Sequence, residues 1–296
     1  MEHASDPVAP ERGPVDSLLG TLLVSLAAAA ALRRSEDDEA IHTARQKLKQ
    51  VRALLRLLRP ALGRRIYRFA NREVRDAGRP LRQVRDAAVL LRTLDSVKPP
   101  GDGGPARPII AQLHRQLVLN CRTERDALSH RQLDAVGTRL DQVAEILRNE
   151  CTRVADLKAI PQGMKMVYRQ GRAAYRIARR HPTTASLHEW RKQVKYLHNE
   201  LQVLHGLYGT GLRKARRRSK QLAAVLGDDH DLALLRLKLQ ALDPRKRFFG
   251  SVLARIRRSR RELQHEAFGL GKHLFGGSPH YFAGKARRSL RRHLPT

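Results

Sequence analysis

Cysteine and aromatic side chains are both scarce in this sequence. Cys121 and Cys151 are the two thiols in 296 residues, so no disulfide framework can form and a reducing compartment fits the chain. Both lie in helical patterns, and neither has a setting that suggests a nucleophile or a metal centre. Aromatics make up 4% of the chain and are not interleaved with the basic residues, which argues against a platform for stacking single-stranded bases. Helix-turn-helix, zinc-finger and RNP signatures are missing. No β-branched run alternates with period two, which removes a sheet from consideration. The apolar stretch 18–32 has no basic lead, since Glu2, Asp6, Glu11 and Asp16 precede it. It is therefore not a signal peptide and is too short to span a bilayer. It reads as a buried helix of a cytoplasmic protein without membrane insertion.

Acidic residues are scarce as well. Asp and Glu number 28 against 59 Lys and Arg, leaving a formal charge of +31. Self-repulsion of that size opposes compaction unless counterions or an acidic partner relieve it. Hydrophobic residues still reach 41%, enough for a core, so the chain is not a disordered basic tail.

What is present is helix. From residue 17 to 273 apolar positions recur at three and four, and Ala, Leu, Arg, Lys and Gln dominate. Breaks are expected at 35–38, 60–63, 78–80, 99–108, 161–163, 182, 206–211, 227 and 244, which gives about eleven helices. Residues 1–15, with three prolines and no periodicity, read as a disordered lead-in. Residues 274–296 form a basic tail in which 285–293 could be a short exposed helix.

The chain also repeats itself. At an offset of 146, His42 falls on His188, Arg45 on Arg191, Lys49 on Lys195, and Arg33-Arg34 on Arg179-Arg180. At one residue less, Arg85-Asp86 falls on His230-Asp231. The halves run over 17–130 and 163–270, joined by a connecting helix at 132–157. Such a period suits a duplicated helical bundle better than a solenoid.

In the first repeat, Ile41, Ala44, Leu48, Val51, Leu55 and Leu58 define a buried face. Each is followed by a polar residue: His42, Arg45, Lys49, Arg52, Arg56 and Arg59. Adjacent residues differ by about 100° on a helix, so this basic row runs along the edge of the core. The second repeat places His188, Arg191, Lys195, His198, Gln202 and His205 after its own apolar residues. Further rows are Arg65, Arg68, Arg72, Arg75 and Arg79; Arg169, Arg172, Arg176 and Arg179; and Arg213, Arg216 and Lys220. Like charges three or four residues apart cost about 0.2–0.5 kcal/mol per pair, a cost that a polyanion removes. Guanidinium forks match phosphate oxygens in pairs, and lysines act as point charges. The rows point to an extended phosphate polymer.

The stretches IHTARQKLKQVRALLRLLRP and LHEWRKQVKYLHNELQVL, each with His-x-x-Arg and a Lys seven residues after the His, resemble the conserved histidine α-helical domain family, CHAD. VRDAAVLL and LGDDHDLALL look like that family's turn motif. The resemblance covers 17–270, within a domain of 17–273. It implies an all-α, pseudo-twofold bundle of two halves around a basic central channel. It also implies non-catalytic binding of inorganic polyphosphate, without cofactor; targeting to polyphosphate granules, storage control and tuning of a partner enzyme are the open purposes of such binding. Carried over by position, His42, Arg45, Lys49 and Arg52 line one side and His188, Arg191, Lys195 and His198 the other. His198 departs from the arginine expected there and makes that contact weaker or pH-dependent. The wider set of expected ligands adds Arg56, Arg68, Arg72, Arg75, Arg172, Arg176, Arg213, Arg216 and Lys220.

Two other readings compete. Sequence-unspecific nucleic-acid binding uses the same phosphate chemistry. A metal-dependent phosphohydrolase would need the GDDHD cluster at 227–231 as its centre. Helix capping accounts for that cluster more simply: Gly227 would end one helix, and Asp228, Asp229 and Asp231 would occupy the first turn of the next. His42 and His188 are each followed by Arg and Lys at helical spacing, a poor setting for a metal. Trp190, Tyr67, Tyr168, Tyr175 and Tyr196 are expected in the core or at the channel edge.

Overall fold

The computed structural model describes residues 14–34, 38–97, 107–150, 159–209, 211–242 and 249–291. Every regular element among them is helical, as the missing period-two pattern requires. The lead-in up to residue 13, Cys151 and the end of the expected connecting helix lie outside the described residues. The helices are α1 (Pro14–Ala30), α2 (Asp38–Leu57), α3 (Arg59–Ala77), α4 (Arg79–Ser96), α5 (Arg107–Asp126) and α6 (His130–Glu150). They continue with α7 (Ala159–Arg180), α8 (Thr184–Tyr208), α9 (Arg213–Leu242), α10 (Gly250–Phe275) and α11 (Pro279–Arg291). A short 3-10 turn, Ala31–Arg34, follows α1.

Prolines set most helix starts. Pro60, Pro80, Pro108 and Pro279 each stand at the first or second helical position, where the missing N–H costs no hydrogen bond. Pro161 stands one place further on, in the first turn of α7, so it opens that helix instead of breaking it. The break expected at 161–163 therefore falls inside α7, and Gly163 is there because α2 passes against it. A Cβ there would lie 2.0 Å from the Leu57 carbonyl oxygen. Gly63, at φ 72°, kinks α3 in a backbone region that side chains disfavour.

The expected break at 206–211 is present, since α8 ends at Tyr208 and Gly209 caps it in a left-handed conformation. The one expected at 227 is not: Gly227 lies inside α9, a single helix of 30 residues. Glycine weakens a helix by about 1 kcal/mol, which packing of α9 against both α8 and α10 outweighs. The capping account of 227–231 therefore fails. Asp229 is buried, accepting Arg260 Nε at 2.9 Å and Gln264 Nε2 at 2.8 Å. This pair ties α9 to α10.

The core is divided. The larger part joins α1, α2, α3, α6, α7, α8, α11, the first half of α9 and the second half of α10. A smaller one joins α4, α5, the first half of α10 and the second half of α9 through Leu94, Leu113, Leu117, Leu235, Phe249 and Ile256. α9 and α10 run through both. α1 buries Leu18, Leu22, Leu26 and Ala29 but leaves Val24 exposed, so it is a one-faced helix and not a fully buried one. Among the described residues no helix is long and apolar enough to cross a membrane. The tail differs from its exposed-helix reading too: α11 packs on α7 through Phe282, Ala286 and Leu290 while Arg287 and Arg288 face outward.

Candidate functional site: a cationic channel between two cores

Where the two cores meet, their helices leave a cavity of about 690 Å³. α2 contributes Arg45, Lys49 and Arg52 to its wall, and α4 contributes Arg82, Arg85 and Asp86. α8 brings His188, Arg191, Lys192, Lys195, Tyr196 and Asn199; α9 brings His230, Asp231 and Lys238. Nine Lys or Arg against two carboxylates give the wall a formal excess of seven positive charges. The opposite end is apolar, formed by Val89, Leu90, Leu117, Leu234 and Leu237. A second depression of about 300 Å³ adjoins the first through Arg45, Lys49, Arg52 and Arg82 and adds Arg75 and Arg79. Cations thus continue from the α2–α8 face to the α3–α4 corner.

Local structure explains why these side chains point inward. The apolar rows of α2 and α8 are buried at Ala44, Leu48 and Val51, and at Trp190, Val194 and Leu197. Each neighbouring cation is therefore turned about 100° from the core, into the seam. Arg45 is fixed by donating to the Leu81 carbonyl of α4 at 3.0 Å, and Arg52 by donating to Asn71 Oδ1 at 3.3 Å. Arg56 stacks 3.4 Å over the Tyr196 ring, behind the channel wall.

Crowding of cations leaves an electrostatic mark. Burial, reinforced by Arg45, Arg85 and Arg191, lowers Lys49 to about 8. Burial, then Arg191, Arg85 and Lys49, lowers Lys195 to about 7. Arg45 falls to about 10 for the same reasons, burial first and Arg85 next. At the rim the His188 and His230 rings meet, Nδ1 to Nδ1 at 3.3 Å. Burial and Arg191 lower both, His230 to about 4, so both are neutral near pH 7. Burial raises the Asp231 carboxyl against the pull of Arg191. The wall holds more positive charge than its own carboxylates compensate.

Of the residues expected from sequence, Arg45, Lys49, Arg52, His188, Arg191 and Lys195 come together on the channel wall, and Arg75 on its extension. The others stand elsewhere. His42 is exposed beside Gln46, and Arg68 and Arg176 are exposed. Arg72 pairs with Glu73, and Arg172 donates to the Phe275 carbonyl. His198 lies 3.2 Å from Ser219 Oγ, and Arg216 donates to Gln202. Arg213 and Lys220 are on the exposed part of α9. Several lining residues belong to no expected row: Arg82, Lys192, Asn199 and Lys238. The pairs Arg85-Asp86 and His230-Asp231 had a sequence signal, their coincidence at an offset of 145, but it read as a turn motif. Of the aromatics, Trp190, Tyr168 and Tyr175 are buried and Tyr196 lines the channel. Among the described residues no three His, Cys, Asp or Glu side chains are grouped to hold a metal ion.

Comparison with known proteins bears on this geometry. Among curated proteins no significant match is found. The fold is similar to that of a solved structure, the CHAD domain from the plant Ricinus communis. The match has a TM-score of 0.53 and 18% identity, covering 98% of this chain and 96% of that one. A family profile, the CHAD domain, matches residues 18–240, which contain both basic helices and nearly every lining residue of the channel. On that match the chain belongs to the CHAD domain family.

Proposed function

We propose that the chain binds inorganic polyphosphate in the channel between α2, α4, α8 and α9, and carries out no chemistry on it. The observation that carries this reading is the channel wall, where nine cations face two carboxylates around about 690 Å³. CHAD domains are in general polyphosphate-binding domains. A linear polymer with charge on every unit neutralises this wall with several successive phosphates. A single small anion does not reach both the α2–α8 face and the α3–α4 corner. Guanidinium groups on α2, α4 and α8 provide paired donors, and Lys49, Lys192 and Lys195 provide point charges. Binding at polyphosphate granules is the cellular setting that accords with this ligand.

Competition calorimetry near physiological salt tests the proposal. Long-chain polyphosphate should displace DNA, RNA and heparin, and its affinity should exceed that of triphosphate and fall as salt rises. Equal affinity for triphosphate, or failure to displace nucleic acid, would rule out an extended polyphosphate channel.

A further inference from the structure

α9 carries a second basic face, turned away from the channel. Leu234, Leu237 and Lys238 look into the channel, whereas Arg236, about 200° around the helix from Leu234, looks toward α10. There, Arg236 joins Arg257, Arg260 and Arg261 of α10 around a cavity of about 350 Å³. Arg236 and Arg257 also border an adjoining cavity of about 170 Å³. Neither cavity shares a lining residue with the channel.

The charges in this place are unequally compensated. Arg260 is 7% exposed and bound by Asp229, which accepts its Nε at 2.9 Å and a terminal nitrogen at 3.3 Å. Arg236 donates to a neutral group, the Gln240 amide oxygen, at 3.3 Å. Among the described residues no carboxylate lines either cavity. Arg257 and Arg261 are four residues apart on one helix, an arrangement that repels unless an anion lies between them. Thr183 and Thr184 line the same cavity at the start of α8, a helix of 25 residues. A capping box already engages the N–H groups of Thr183 and Ser186 there, so this helix start adds its partial positive charge to the arginines of the cavity.

We infer that the α8–α9–α10 pocket around Arg236, Arg257 and Arg261 is a second anion site that takes a phosphoryl group of pyrophosphate size. Arg260, held by Asp229, forms the fixed floor, and the other three arginines supply the forks that close on the phosphate oxygens. The site does not depend on what the channel binds. The phosphoryl group comes either from free pyrophosphate or from a polyphosphate chain that extends past the channel.

Calorimetry with pyrophosphate separates the two sites. In an Arg45→Glu/Arg191→Glu background, one-to-one binding of pyrophosphate should persist. Adding Arg236→Gln, Arg257→Gln and Arg261→Gln should weaken it by about tenfold or more, the loss expected for a charge-assisted bond. Exposed Arg261→Gln alone should weaken it measurably if the triple variant does not fold. Adding Arg287→Gln/Arg288→Gln, on the distant α11, should leave it unchanged. No pyrophosphate binding in the channel-disabled protein, unchanged binding in the triple or single variant, or an equal loss from the α11 pair would overturn the site. With the channel intact, a loss of long-chain polyphosphate affinity in the triple variant assigns the site to the polymer. An unchanged polymer affinity assigns it to the free anion.

Discussion

α2 and α8 carry the same spacing of apolar and basic residues, yet they serve the channel differently. Their first two cations correspond in sequence and meet in space: Arg45 and Lys49 share a wall with Arg191 and Lys195. Beyond Lys195 the likeness ends. α2 continues with Arg52 and Arg56, one on the wall and one behind it on Tyr196. The α8 row continues with His198 and Gln202, which turn to Ser219 and Arg216 of α9. The leading histidines also part. His42 is exposed, while His188 is half-buried against His230. A row's spacing fixes which way it points from its own helix; the neighbouring helix decides whether that direction opens on a channel or on a covered face.

The neighbours differ because of one stretch of backbone. Before Asp86 come Gly78, Arg79 and Pro80, which separate α3 from α4. At the corresponding places before Asp231 come Ala223, Ala224 and Val225, and α9 continues unbroken. Proline removes an N–H and clashes with the preceding turn; alanine does neither. The unbroken α9 packs along α8 and meets the later part of its row, at His198 and Gln202.

The largest test of this pairing is charge reversal on both helices. Arg45→Glu with Arg191→Glu should lower polyphosphate affinity by about a hundredfold or more, since each removes a charge-assisted contact of roughly 1.5–3 kcal/mol. Arg287→Glu with Arg288→Glu, on the outward face of α11, should change it far less when measured at the same salt. Comparable losses would mean that overall charge, and not the α2–α8 wall, holds the ligand.

A smaller test concerns the one place where the buried rows differ in polarity. At the offset of 146, Leu54 of α2 corresponds to Glu200 of α8. Glu200 is 0% exposed, and neither carboxyl oxygen has a hydrogen-bond partner. Burial raises its carboxyl well above the ordinary range. The folded protein therefore holds that proton to higher pH than the unfolded chain, and Glu200 lowers stability progressively as pH rises from the ordinary carboxylate range. Glu200→Leu should raise stability in denaturant unfolding by about 1 kcal/mol or more near neutral pH, with a flatter pH dependence. A loss of stability would show that the carboxyl makes a needed interaction.

The finest test reads protons. Lys49 and Lys195 are lowered to about 8 and about 7 by burial and neighbouring cations. Both ordinarily titrate near 10.5. As pH rises from 7 toward that value, the folded state releases these protons before the unfolded chain does. Their contribution to the stability of the free protein therefore rises across that window. A polyanion restores the charged form, so binding at pH 8 should take up protons, visible as a dependence of binding heat on buffer ionisation enthalpy. Lys195→Met should reduce the uptake. Equal uptake in the variant would assign the protons elsewhere.

Much of this was legible in the chain. The three- and four-residue recurrence of Leu, Ala and Val identified the helices, and the one-residue displacement of Arg45, Lys49, Arg191 and Lys195 put their charges at the core edge. The repeat at 146 singled out α2 and α8 as related. Less legible was punctuation: the sequence marks Gly227 as an end as plainly as the glycines of 206–211, but packing of α9 on α8 and α10 carries the helix through it. Asp229 looked like a cap because sequence does not show that Arg260, 31 residues later, lies against it.

The sequence by itself determined that the protein is helical, strongly cationic and built on two related basic helices, because periodicity and charge are local properties. The tertiary structure alone decided which cations share a cavity, because that depends on which helices pack. It brought Arg82, Arg85, Lys192 and Lys238 to the same wall as Arg45 and Arg191, and turned Arg72, Arg172 and Arg216 toward other partners. It also gathered Arg236, Arg257 and Arg261 behind α9. Their separation along the chain hides that cluster until α9 and α10 lie side by side.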